Sequence, residues 1–211
     1  MKINLDSPVI VFLTTVADFM ILNILFILCC APVITIGPAV SALYTITMRE
    51  ARHEGGYIFK PFFKAFKNNF KQAFLLSILY LIIGAILAFG VKFWIEKPEF
   101  STVNQVILVI TGVFAVIFIF SLLYVFALIA RFDNTIFKSV KNAVMLAVFN
   151  LRETFLLTLI HVIVIVLMIF TKGIWIFMMV GGFSVCAYIN SLLFIRVFRQ
   201  YEKIEGGNHD D

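Results

Sequence analysis

APVITIGPA (31–39) follows a run of more than twenty mostly apolar residues and breaks it with two prolines, a threonine and a glycine. A helix from Val9 to Cys30 rises about 33 Å, enough to cross a hydrocarbon layer of ~30 Å and reach its far face near Pro32. Pro38 suits the first residue of a returning helix, Gly37 is a tolerable cap, and Thr35 is close enough to satisfy an exposed N–H. From Pro38 to Met48 the returning helix covers only about 16 Å, half the layer. The missing depth would come from Val33 to Gly37 in extended form, which adds up to about 17 Å. Backbone unwound at that depth cannot face lipid, so it must be covered by protein or line a wet cavity. Two readings of the stretch stay open. One is a discontinuous helix with its positive end aimed inward, as transporters arrange for anionic groups. The other is a tight turn on the far side that starts a short helix.

The rest of the chain agrees that lipid is the solvent. Of 211 residues 62% are hydrophobic and 14% charged, and mean hydropathy is +1.05, far outside the range of soluble domains. Runs 9–30, 72–93, 105–130, 153–171 and 173–195 are long enough to cross a membrane, and 33–48 is a shorter sixth. The fold class is therefore all-α: a single polytopic helical membrane bundle over 1–211, with about six transmembrane segments arranged as three hairpins. The first run is too long for a signal-peptide core and lacks a small-residue exit, so it is expected to stay in the membrane. If all six runs cross with the N-terminus inside, fourteen Lys and Arg fall on the inner side against Lys92, Lys97 and Lys172 outside. That bias puts the C-terminus in the cytoplasm, makes a cytoplasmic N-terminus the expectation, and accounts for the net charge of +5 without nucleic acid.

The hairpins return to the inner side in similar language: SALYTITMR (41–49), SLLYVFALIAR (121–131) and SLLFIRVFR (191–199). Two outward starts also match, NFKQAFLLS (69–77) and NLRETFLLT (150–158). This suggests a threefold parallel repeat, although membrane helix ends resemble one another in any case. Between hairpins, 57–71 carries Phe59, Phe62, Phe63, Phe66 and Phe70 at helical spacing beside Lys60, Lys64, Lys67 and Lys71. Such a segment should lie in the inner interface as a separate amphipathic helix, its lysines binding anionic lipid at about 1 kcal/mol each. A weaker copy covers 134–150.

The helix with Asp18 and Asn23, the Cys-Cys-Ala-Pro and ITIGPA run, Ala42-Leu43-Tyr44, FFKAFKNNFKQA and LYVFALIARFDN together resemble the YesL-like family of small bacterial integral membrane proteins. Pro32, Thr35, Gly37, Pro38 and Ala39 are the most specific part of the likeness. At Phe126-Ala127-Leu128 this chain lacks a proline of the family pattern, which removes the kink expected there. The family has no established activity. The resemblance implies an accessory role beside carbohydrate uptake or envelope systems, with another membrane protein such as a sugar-uptake permease as partner.

Ionisable and amide groups inside the layer are functional candidates. Asp18 and His161 lie at similar depth on their own helices, roughly 14 and 12 Å in, and a carboxylate–imidazole pair could hold one proton or a polar path. With Asn23, Thr35, Gly37, Pro38 and Asn190 they make a candidate polar core or pathway, whose bland alternative is interhelical hydrogen bonding. Catalytic motifs are missing: there is no phosphate-cradling G-x-x-x-x-G-K-[ST] and no G-x-S-x-G. His53-Glu54-Gly55-Gly56-Tyr57 fails as a zinc helix for want of the second histidine, and Cys29, Cys30 and Cys186 lack metal spacing. No enzyme, cofactor or metal is expected. Two functions compete: an accessory scaffold with a closed polar core, or a small solute transporter or channel passing the VITIGPA break and Asp18.

Overall fold

A computed structural model describes residues 8–96 and 101–206. Lys2 and Lys97, used above to orient the chain, lie outside them. All regular elements among the described residues are helical: α1 (Pro8–Cys30), a single 3-10 turn (Val33–Thr35), α2 (Ile36–Ala51), α3 (Phe59–Ile95), α4 (Thr102–Arg131), α5 (Ile136–Phe149), α6 (Leu151–Phe170), α7 (Ile174–Phe177), a π turn (Met178–Gly182) and α8 (Phe183–Gly206). Five stretches are long and apolar enough to cross a membrane: Phe12–Cys30, α3, α4, α6 and Ile174–Arg199. The sixth, α2, is short as expected; its 16 residues rise about 24 Å. The molecule is an all-α membrane bundle.

Two expectations need correction. The first is the break, where of the two open readings the tight turn that starts a short helix is the one found, without the extended stretch expected before it. Val33–Thr35 is not extended but wound into one 3-10 turn, in which Thr35 N–H donates to Pro32 O at 2.9 Å and α2 begins at once with Ile36. The Thr35 hydroxyl does not cap an N–H either. It donates to the carbonyls of Cys29 and Pro32 at 2.6 and 2.7 Å, closing the end of α1. A turn that satisfies its own polar groups needs no wet cavity. The second is the Phe- and Lys-rich segment, which is not a separate interfacial helix but the first third of α3. Nothing in the chain from Phe62 to Ile83 breaks helical geometry: Pro61 sits in the first turn, where its missing N–H costs nothing, and the next glycine is Gly84. α5, by contrast, is a helix of its own, with the Thr135 side chain accepting from Lys138 N–H at its start.

The short helix α2 is the hub. Ten of its sixteen residues are buried, whereas α4 buries six of thirty and α6 only Thr154 and Leu157. In lipid there is no hydrophobic drive between helices, so close packing requires small residues and interhelical hydrogen bonds. α2 supplies both in Gly37, Ala39, Ser41, Ala42 and Thr47, all buried. Gly37 lies against α3: a Cβ built there would overlap the Ser77 hydroxyl and lie 2.9 Å from Ala73 O and 2.8 Å from the Phe126 ring of α4. Further down, Asn69 of α3 donates to the Ser41 hydroxyl at 2.9 Å. The start of α2 thus meets α3 near its middle, and α3 runs on about 27 Å beyond Ser77.

The core therefore gathers at one end of the bundle. Buried positions of α4 run from Ser121 to Ile129, and those of α3 stop at Tyr80. Beyond them α3 and α4 keep touching each other, through Gly84 and Phe118 and through Gly90 and Thr111, but expose Leu81, Ile86, Phe89, Val103 and Val109. An open groove of about 510 Å³ lies between these far halves, lined by Leu87, Ala88, Val91 and Phe118 with a Lys92–Glu96 pair of 3.8 Å at its rim. The third expected hairpin is the loosest, tied at its turn by Trp175 Nε1–H donating to Met168 O at 3.0 Å.

Candidate functional site

Asn23 is fully buried and points from α1 into the π turn. Its amide NH2 donates to Met178 O and Met179 O at 2.9 and 2.8 Å, and its carbonyl accepts from Ser184 N–H at 3.2 Å. A π turn is wider than an α turn and misplaces backbone groups; a side chain inserted into the ladder satisfies them. Phe19 against Tyr188 and Phe26 against Phe183 flank this insertion, with ring centroids 5.3 and 5.6 Å apart. Asn23 is thus a lock between α1 and the last membrane helix. The adjacent Gly181-Gly182 pair is the sequence signal for the bend, since a Cβ on Gly182 would come within 2.6 Å of Met178 Sδ.

The three return stretches occupy matching places. Ser41, Ser121 and Ser191 are all buried, and each bonds another helix: Ser41 with Asn69, Ser121 with the Tyr80 hydroxyl at 3.1 Å, Ser191 with the Thr47 hydroxyl at 2.8 Å. Three residues on, Tyr44, Tyr124 and Phe194 meet, with Phe194 5.2 Å from Tyr44 and 5.5 Å from Tyr124, both edge-on. Such edge contacts contribute about 0.5–1.5 kcal/mol each beyond area burial. The outward starts correspond too. Ala73 and Leu76 are buried as Thr154 and Leu157 are, and Ser77 and Thr158 each donate to the carbonyl four residues back. Tyr124 reaches across to Thr154 at 2.9 Å. Composition alone missed the serines and tyrosines as core partners, although the repeated Ser-x-x-aromatic spacing carried the signal.

Asn190 belongs to this core: its NH2 reaches the Tyr44 hydroxyl at 3.4 Å, while its Oδ1 and the nearby Ser184 Oγ are buried without a partner. Pro38 and Gly37 are buried at the head of α2. Asp18 and His161 are not brought together. Asp18 is exposed on α1, and His161 Nδ1 lies 2.7 Å from Leu157 O on its own helix; no hydrogen bond or ion pair joins the two. Lys60, Lys64, Lys67 and Lys71 are all exposed along α3, as a lipid-facing basic stripe requires. Their phenyl neighbours divide, Phe62 being fully buried in the core and Phe66 packed against it while Phe59, Phe63 and Phe70 stay outside. Among the described residues no group of His, Cys, Asp or Glu could hold a metal.

A further polar feature lies where α2 and α4 end beside α8. Arg52, Arg131 and Arg199 line a small cleft with Met48, Ile195 and Phe198. His53 adopts a left-handed conformation (φ 60°), and Glu54 N–H returns to Arg49 O at 3.1 Å, a helix-ending turn that folds Glu54 back over the end of α2. There Arg52 donates Nε–H and Nη2–H to the two Glu54 carboxylate oxygens at 2.8 and 3.0 Å. That fork holds the Glu54 carboxyl below its ordinary range, with Arg131 and Arg49 adding to the effect.

Residues 19–91, from within α1 through the break and α2 to near the end of α3, match the model of a family described as a protein of unknown function, DUF624. The match takes in the hub and the α3 face that packs on it, about a third of the chain. No curated protein and no solved structure matches.

Proposed function

We propose that this chain is a YesL-like, multi-pass cell-membrane protein, C-terminus in the cytoplasm, that acts without catalysis as an accessory to another membrane protein in carbohydrate uptake or envelope function. One observation carries the reading: the core polar side chains Asn23, Thr47 and Ser191 are spent on hydrogen bonds to neighbouring helices. The far halves of α3, α4 and α6 meanwhile present long apolar faces that no other part of the described chain covers. Lipid covers such faces until a partner packs there; the partner in this reading is a permease, and the exposed lysines of α3 would hold the assembly to anionic headgroups.

The test is a photo-crosslinking side chain placed at Phe89 and, as control, at Phe62, in living cells. A discrete adduct with another membrane protein from Phe89 and none from Phe62 agrees with the reading. A second reading, a solute pathway, is favoured by the unpartnered Ser184 Oγ and Asn190 Oδ1 inside the bundle. Purified protein in liposomes separates the two, because substrate-dependent flux that disappears in Asn190→Leu would replace the accessory reading.

A further inference from the structure

α3 carries its own depth scale. Lys71 and Lys92 stand about 32 Å apart along one unbroken helix, close to the ~30 Å thickness of a hydrocarbon layer. The last lysine of the basic stripe and Lys92 therefore mark opposite interfaces, and Gly84, about 12 Å short of Lys92, lies near mid-layer. From that level the groove beside the α3–α4 seam climbs to the far interface. Ala88, Val91 and Ile95 of α3 line its length, Phe118 of α4 its inner end, and Lys92 and Glu96 its mouth. Below the mouth every lining residue is apolar or glycine, so nothing there holds a solute that needs hydrogen bonds. About 510 Å³ spread over the ~18 Å from Gly84 to Glu96 gives a mean cross-section of about 28 Å², against about 80 Å² for a helix about 10 Å across. A helix cannot enter such a groove, whereas a single extended hydrocarbon chain can.

The mouth selects the headgroup. Lys92 Nζ and Glu96 Oε1 are 3.8 Å apart, too far for a hydrogen bond, and both side chains are largely exposed. One cation and one anion at headgroup level match a headgroup that carries one of each. Its phosphate accepts from the Lys92 ammonium, and its primary ammonium donates to the Glu96 carboxylate. A purely anionic headgroup would meet Glu96 as a like charge, and a quaternary ammonium has no N–H to donate. We infer that the α3–α4 groove holds one acyl chain of a phosphatidylethanolamine-type lipid in the leaflet at its end of the bundle, the headgroup clamped between Lys92 and Glu96. The site is separate from the basic stripe at the other end of α3. It does not depend on the accessory reading, whose crosslinking position, Phe89, lies outside the lining.

The experiment uses the full chain in neutral detergent, titrated with an equimolar mixture of phosphatidylethanolamine, phosphatidylcholine and phosphatidylglycerol of one acyl composition, with bound lipid read by native mass spectrometry. One phosphatidylethanolamine should be retained over either competitor by about threefold, the size that an exposed charge pair supports. Ala88→Phe fills the groove from an exposed position and should remove that preference. Glu96→Lys should turn it toward phosphatidylglycerol, a gain that misfolding cannot produce. Joint replacement of Lys60, Lys64, Lys67 and Lys71 by Gln should leave the preference for phosphatidylethanolamine over phosphatidylcholine unchanged. The inference is overturned by equal retention of the three lipids, which means an annular shell only, by a preference that survives Ala88→Phe or Glu96→Lys, or by one that follows the lysines at the start of α3. A dimer that Ala88→Phe dissolves would overturn it too, giving the groove to a second copy of the chain.

Discussion

Gly37→Ala separates two reasons for a glycine at the head of α2. Gly37 does not have a positive φ, so alanine can adopt its backbone. If the glycine served only as a flexible joint, alanine would stabilise the helix by up to about 1 kcal/mol. Contact says the opposite. The new methyl would overlap the Ser77 hydroxyl, which donates to Ala73 O at 2.8 Å, and would crowd Ala73 O at 2.9 Å and the Phe126 ring at 2.8 Å. Ser77 can rotate at the loss of that hydrogen bond, about 0.5–1.5 kcal/mol, but the Ala73 carbonyl moves only with α3 itself. Overpacking of this kind costs roughly 1–3 kcal/mol and the lost hydrogen bond about 1 kcal/mol more, so after the propensity gain a net loss of about 2 kcal/mol is expected. Thermal unfolding in detergent, followed by helical circular dichroism, measures it. Ser77→Ala in the Gly37→Ala background should recover part of the loss and not all, because the carbonyl and the ring remain. A Gly37→Ala protein as stable as the parent or more so would refute close helix approach as the reason for the glycine.

Other outcomes follow from single contacts. Asn23→Ala leaves Met178 O, Met179 O and Ser184 N–H without their partner and should lower stability by about 1–3 kcal/mol, read by the same unfolding assay, with Asn23→Asp no better since a carboxylate cannot donate to the two carbonyls. Thr47→Val and Ser191→Ala should couple in a double-mutant cycle by roughly 0.6 kcal/mol, up to about 1.7, the range for hydrogen bonds between membrane helices. For Glu54, whose folded carboxyl lies below its usual 4.5, the contribution to stability is present above the unfolded value and lost as pH falls through the lowered folded value. Unfolding profiles of parent and Glu54→Gln should therefore converge in acid and separate, modestly for so exposed a pair, above about pH 5.

Much of the bundle was legible in the sequence because length and apolarity alone define a membrane helix. Pro38 and Gly37 marked the neighbourhood of the start of α2 but not its first residue: the helix begins at Ile36 with Thr35 at its cap, and Gly37 and Pro38 lie inside its first turn. The turn before them was expected to be extended in order to fill a depth, and α2 does not need that depth filled: Gly37 meets α3 beside Ala73, with much of α3 still to run. The continuity of α3 was invisible for another reason. An amphipathic stripe and an apolar run differ in surroundings but share helical geometry, and only a breaker would have parted them. Asp18 and His161 were matched by depth along their helices, which says nothing of rotation about the axis, and they face different surroundings. The Asn23 lock needed knowledge of its partner, the π turn, whose local mark was only two adjacent glycines.

The closed core around α2 is tested most directly by one labelling measurement. In a cysteine-free background, Ser191→Cys, at a fully buried position against Thr47, is challenged with a membrane-impermeant maleimide from each side, beside Lys64→Cys as exposed reference. If the core is closed, the reference reacts at once while position 191 reacts only after denaturation; labelling of the folded protein at a comparable rate from either side would contradict it.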